Sequence, residues 1–206
     1  YRLILNDSCH SSKLLSRNLE IGPITPALHI KTLILRFNNS NLAIISAVDW
    51  FFSNEEFGII LEDDLIIGED FVEFVVGNRH LLDRDDEILL ISGNQFDQYA
   101  QLETPRNWTT YPLIWGWATS KKKWEIMKYG IVHSRIPLFR KPFNKVENFW
   151  RVGSLRVRSR QIDTWDIPLV YFMLQNRKLC LIPDKNLVSN LGNDRFASHT
   201  TLDAFH

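Results

Sequence analysis

The chain has 206 residues, is 45% hydrophobic and 12% aromatic, and carries 24 basic against 24 acidic side chains, a formal net charge of zero. That is the length of one domain, 1–206, with enough apolar material for a sizeable core, which excludes a disordered chain, a disulfide-stapled miniprotein and a fibre. A neutral chain also lacks the positive field of a general nucleic-acid binder, so no nucleic-acid partner is expected. The balance hides an asymmetry. Residues 62–103 hold twelve acidic and two basic side chains, and residues 135–160 hold eight basic and one acidic. Cys9 and Cys180 form neither a disulfide framework nor a zinc spacing, which points to a reducing, cytoplasmic setting. No apolar run reaches the length of a membrane span, so membrane contact is expected to be peripheral at most.

In chain order, Arg2-Leu3-Ile4-Leu5 predicts a strand stopped by the turn residues Asn6-Asp7-Ser8. Residues 13–19 predict a short helix and 29–37 a second strand. Over 41–52 the apolar positions Leu42, Ile45, Val48, Phe51 and Phe52 recur at helical spacing. Gly58-Ile59-Ile60-Leu61 is a short continuous apolar run, as in a strand buried on both faces. A helix is expected over 69–82, with acids in its first turn, and a buried strand over 87–92, closed by Gly93-Asn94. This alternation of strands and helices argues for an α/β layer fold with a mainly parallel sheet. Beyond Phe96 the pattern loosens. Residues 111–118 are aromatic and glycine-bearing, 120–127 predict a short helix capped by Ser120, and 136–157 are basic and partly helical. Residues 165–176 show helical spacing, 179–182 predict a strand stopped by Pro183, and the tail from Asn186 reads as irregular.

The sharpest feature is Glu62-Asp63-Asp64, three carboxylates at the carboxyl end of a buried strand. In open α/β sheets ligands bind outside those strand ends, and adjacent anions repel unless a cation or hydrogen bonds offset them. Extended backbone would put Glu62 and Asp64 on one face and Asp63 on the other. A hard divalent cation suits such a corner, and a solvated acidic turn is the competing reading. The stretch 51–64 resembles the metal-motif region of GT-A-fold, nucleotide-sugar-dependent glycosyltransferases. It is most similar to bacterial members that share a Glu-Asp-Asp motif with N-acetylglucosaminyltransferase I. Further blocks fit in the same order: Ile91-Ser92-Gly93-Asn94, the aromatic-glycine loop 111–119, Thr164-Trp165-Asp166, and Asn186-Leu187-Val188-Ser189-Asn190-Leu191-Gly192 ending in Ser198-His199-Thr200. Together they span about residues 30–200.

The resemblance implies a GT-A, Rossmann-like α/β domain with a mixed, mainly parallel sheet flanked by helices. It implies a metal-dependent, inverting transferase that moves a hexosyl or N-acetylhexosaminyl group from a nucleotide-diphosphate donor, a uridine diphosphate sugar first, to a glycan or lipid-linked acceptor, as in polysaccharide biosynthesis. Asp64 and His199 would hold Mn²⁺ or Mg²⁺. Glu62, Asp63 and Arg36 would contact the donor, Trp115, Gly116 and Trp117 would wall the sugar or acceptor pocket, and Asp166 would be the catalytic base. Each residue also has a plainer reading: Asp166 as a helix-capping acid with Asp163 as a rival cap, His199 as a tail histidine, one of the tryptophans as core, and the basic segment as a solvated helix face. The match departs at 38–42, which lack the family's glycine and lysine, and at the start, where Arg2-Leu3-Ile4-Leu5 aligns with the family's second strand. The first strand and helix are therefore expected to be missing, leaving a strand without its neighbour. The alternatives are a non-catalytic GT-A relative that binds sugar or a protein partner, and a metal-dependent phosphohydrolase or nucleotidyltransferase.

Overall fold

The computed structural model describes residues 2–6, 30–34, 40–62, 64–95, 107–137 and 145–190. Among them the chain forms a mixed α/β layer structure. Strands β1 (Arg2–Asn6) and β2 (Ile30–Ile34) precede helix α1 (Ser40–Asn54), which leads into β3 (Phe57–Glu62) and the short β4 (Leu65–Ile67). Helices α2 (Asp70–Asn78) and α3 (His80–Arg84) connect to β5 (Ile88–Ser92). Then come β6 (Trp108–Thr109), β7 (Trp117–Ser120), α4 (Lys121–His133), α5 (Lys145–Arg158), α6 (Asp166–Asn176), β8 (Leu179–Leu181) and β9 (Val188–Asn190). The helix expected over 13–19 lies outside the described residues.

The main sheet has the order β2-β1-β3-β7-β5-β8-β6, and β4 pairs with β9 in a separate ribbon. β1, β2, β3, β5 and β8 share one direction, while β7 runs antiparallel between β3 and β5, and β6 antiparallel beside β8. The sheet is mixed, as expected, and five of its seven strands run in one direction. Parallel and antiparallel pairings are equally represented because the aromatic-glycine segment inserts a reversed strand into its centre. β1 pairs on both flanks, Leu3 opposite Lys31 of β2 and Ile60 of β3.

Two cores sandwich the sheet. On one face Val48, Phe51 and Phe52 of α1 pack with Trp124 and Met127 of α4, Leu169 and Phe172 of α6, and Ile60 and Trp117 of the sheet. On the other, Phe71 and Val75 of α2 and Leu82 of α3 cover Ile59, Leu61, Ile91 and Ala118. Alternate β3 residues thus enter different cores, which is why that strand is apolar without alternation. α1 buries Ala43, Ala47, Val48, Phe51 and Phe52, whereas Leu42, expected on that face, is 59% exposed. The single helix expected over 69–82 is two, divided at Arg79. Ser120 does cap α4, its Oγ accepting from the Lys123 backbone N–H at 3.4 Å.

Two polar contacts tie the helices to their neighbours. The Trp124 indole N–H donates to Asp49 Oδ1 at 2.7 Å, joining α4 to α1. Lys123 is fully buried, and its Nζ donates to the Asp85 carbonyl at 2.7 Å and to Asp86 Oδ1 at 3.3 Å, joining α4 to the turn before β5. No helix among the described residues is long and apolar enough to cross a membrane.

Candidate functional site at the carboxyl edge of the sheet

β3 ends at Glu62 and β5 at Ser92, both at the edge to which the parallel strands point. β7 starts at that edge, since Trp117 pairs with both Ile60 and Ser92. α6 enters β8 through the short turn at Arg177-Lys178, so its first residue, Asp166, also lies toward the carboxyl edge. The described parts of the blocks at 91–94, 111–119 and 186–190 therefore meet at this edge, and backbone hydrogen bonds join them to one another and to Gly68. Gly93 N–H donates to the Gly116 carbonyl at 2.8 Å, Leu187 N–H to the Gly93 carbonyl at 2.9 Å, and Gly68 N–H to the Leu187 carbonyl at 2.7 Å. Asn186 Oδ1 accepts from Gln95 N–H at 2.9 Å. The segment from Asn186, expected to be irregular, instead supplies β9, whose Asn190 lies opposite Leu65, the residue after Asp64.

The acidic triplet does not continue the strand as one extended run. Glu62 is its last, half-buried residue, and Asp64 lies in the turn before β4. Asp64 Oδ1 is buried and has no hydrogen-bond partner among the described residues. A buried, unpartnered carboxylate oxygen is costly unless a cation or water satisfies it, so this atom suits a hard cation. No group of three potential ligands clusters among the described residues. Asp63, Arg36 and His199 lie outside the described residues, so the donor and metal roles expected for them concern positions without a described geometry.

The two tryptophans of the aromatic-glycine segment part company. Trp117 is 2% exposed and stacks on Trp165 at 5.7 Å between ring centroids. Its side chain is core, so the expected role as a pocket wall is corrected for this residue. It faces inward because β7 alternates and places it on the same side as Ile60. Trp115 is half-buried and packs against the opposite core. Gly116, between them, has φ +64°, and a Cβ there would lie 2.9 Å from Val188 Cγ2 and 3.2 Å from Leu61 Cδ2. Both the left-handed backbone and the close approach of β9 require glycine.

Asp166 opens α6 and is half-buried. Its Oδ1 accepts from Thr164 Oγ and from the Ile167 N–H at 2.8 Å. Its Oδ2 has no hydrogen bond among the described residues. The rival acid has other work. Asp163 Oδ1 accepts from the Asn41 backbone N–H at 3.1 Å and so caps the first turn of α1, not of α6. Two arginines of the basic segment tie α5 to the residues after α4: Arg151 donates to the Pro137 carbonyl at 2.8 Å and Arg158 to the Ser134 carbonyl at 2.6 Å. One residue had no role assigned from the sequence. Asn94 is 1% exposed, and its Nδ2 lacks a partner among the described residues. Its signal was a small polar turn closing a buried strand, which marks many strand ends. No family model and no curated protein matches the chain.

Proposed function

We propose that the chain is a metal-dependent, inverting glycosyltransferase domain of the GT-A type, acting on a nucleotide-diphosphate sugar and a hydroxyl acceptor. The observation that carries this reading is the meeting, at one edge of the sheet, of the turn bearing Asp64, the Gly116 loop, the β9 segment and the Trp165-Asp166 helix start, with an unsatisfied carboxylate oxygen on Asp64. Ligands of α/β sheets bind outside carboxyl strand ends, where this cluster lies.

In this reading Asp64, with His199, holds a Mn²⁺ or Mg²⁺ ion. When bound, such a cation neutralises the charge that grows on the departing diphosphate. Glu62, Asp63 and Arg36 contact the donor, and Trp115 packs against a sugar face. Asp166 takes the proton of the acceptor hydroxyl at Oδ2 while Thr164 and the Ile167 N–H hold Oδ1 in place. The acceptor oxygen bonds to the anomeric carbon as the bond from that carbon to the diphosphate oxygen breaks, which inverts its configuration.

Calorimetry of uridine and guanosine diphosphates with the chain, with and without Mn²⁺, tests the reading. Binding that requires Mn²⁺ and is lost in Asp64→Ala is the expected result. Absence of diphosphate binding to a folded chain, or unchanged Mn²⁺-dependent binding in the variant, would overturn it.

A further inference from the structure

A second feature of the carboxyl edge plays no part in that reaction. Between the start of α1, the end of α4 and the end of α5 lies a cleft of about 620 Å³. Small-molecule pockets run to roughly 300–1,000 Å³, so the size suits a ligand and exceeds a packing defect. Its walls are mainly aliphatic. Two of them, Leu42 and Val132, are 59% and 48% exposed, an unfavourable arrangement for large apolar side chains. Asp166 does not line it, although Asp163 and Pro168 do.

The polar rim has a definite sign. Arg158 and Arg160 both border the cleft, against one carboxylate, that of Asp163. Asp163 is already engaged at the Asn41 N–H, and Arg158 spends one Nη on the Ser134 carbonyl, leaving its other donors. The Arg160 side chain makes no hydrogen bond or ion pair among the described residues. Its backbone is left-handed, φ +60°, as it leaves α5. Asn41 adds a buried amide end without a partner among the described residues, and oriented either way it offers a headgroup one polar contact. An aliphatic cleft rimmed by two guanidinium groups matches one ligand chemistry. The chain of the ligand must be apolar, and its head must carry an anion able to take paired N–H donors.

We propose that this cleft binds a single-chain amphiphilic anion, an alkyl group ending in a phosphate. The alkyl chain covers Leu42, Val132 and their neighbours, and Arg158 and Arg160 hold the phosphate. The proposal does not depend on the transferase reading.

The test is calorimetry on the full chain with dodecyl phosphate below its micelle-forming concentration. Inorganic phosphate, dodecyl maltoside and dodecyltrimethylammonium serve as comparators. Dodecyl phosphate should bind at least about ten-fold more tightly than each of the three, since both the chain and the anion contribute. The double variant Arg158→Gln/Arg160→Asn should lose about ten-fold or more for dodecyl phosphate with unchanged circular dichroism; Asn is chosen because it tolerates the left-handed backbone at 160. Leu42→Asn, at an exposed position, should also weaken the alkyl phosphate without altering inorganic phosphate binding, and it locates the site if the double variant does not fold. Equal binding of the uncharged or cationic amphiphile, equal binding of inorganic phosphate, no binding at all, or indifference to the folded variants would overturn the proposal.

Discussion

At the scale of single residues, Asp64 and Asp166 are distinguished by what their oxygens lack. Among the described residues, Asp64 has a buried oxygen without a hydrogen-bond partner, whereas Asp166 has one oxygen fixed by Thr164 and Ile167 and the other without a hydrogen bond. A base and a ligand for the donor complex should therefore fail differently. In the transferase reading, Asp166→Asn preserves shape and hydrogen-bonding reach but removes the proton acceptor. Turnover should fall about 10²-fold or more with diphosphate binding unchanged; separate measurement of kcat and of diphosphate affinity checks this, and near-normal kcat would remove Asp166 from the reaction. Cys180 gives a prediction independent of function. Burial pushes its thiol up to about 12 from an ordinary value of 9.0, outweighing the opposing backbone contacts of Leu113 and Ser92. The folded chain holds that proton more tightly than the unfolded chain. This contribution to stability is complete below pH 9 and fades as the pH rises toward 12. In a Cys9→Ser background, Cys180 should resist a disulfide reagent at pH 8 until denaturant is added; rapid labelling of the native protein would contradict the burial.

Elements are held by contacts that connect distant parts of the sequence. α4 and α6 approach at Gly130, where a Cβ would lie 2.3 Å from the Phe172 ring. Gly130→Ala gains helix propensity of up to ~1 kcal/mol, yet the clash with a core ring costs ~1–3 kcal/mol, so net destabilisation is expected in a urea melt. A more stable variant would mean that the helices separate freely. Asp163 caps α1 across 122 residues of sequence. Asp163→Ala should cost ~1 kcal/mol by the same measurement. Buried Lys123 reaches outward to Asp86, which is itself well exposed, so removing the lysine strands no buried charge. Lys123→Met should therefore be tolerated far better than Lys123→Ala, which leaves a cavity costing on the order of 2–5 kcal/mol. Similar losses in both would show that the charge, not the filled volume, matters.

On the scale of the whole molecule, the reversed strand β7 is the keystone. It pairs with β3 and β5, is covered on both faces, and delivers Gly116 and Trp117 to the carboxyl edge. Local opening is hardest where strands are flanked and buried on both sides. Amide exchange should be slowest for Ile60, Leu90 and Ala118 and fast for β6, a two-residue strand at the sheet margin. Comparable exchange in β6 and β7 would argue against this strand order.

Local chemistry in the sequence determined a good part of this. The apolar run at Ile59-Ile60-Leu61 read as a strand covered on both faces. The spacing of Val48, Phe51 and Phe52 read as a helix with one buried face, and Ser120 could be read as a cap from its position before Lys121. The acids after β3 were legible as a candidate from their place at the end of a buried strand, whereas the glycine between two tryptophans and the acid after Trp165 became candidates only through the family resemblance. Contacts distant in sequence decided the rest. Whether Trp117 faces a ligand or the core depends on the register of β7 against β3. Whether Asp163 caps α6 or α1 depends on where α1 begins in space. The strand at 188–190 exists because β4 offers it a partner, and the mixed sheet exists because β7 is inserted between β3 and β5. Hydrophobic period and turn residues act over a few positions and set the elements; pairing order and side-chain company are set by burial across the whole chain, which only the tertiary structure records.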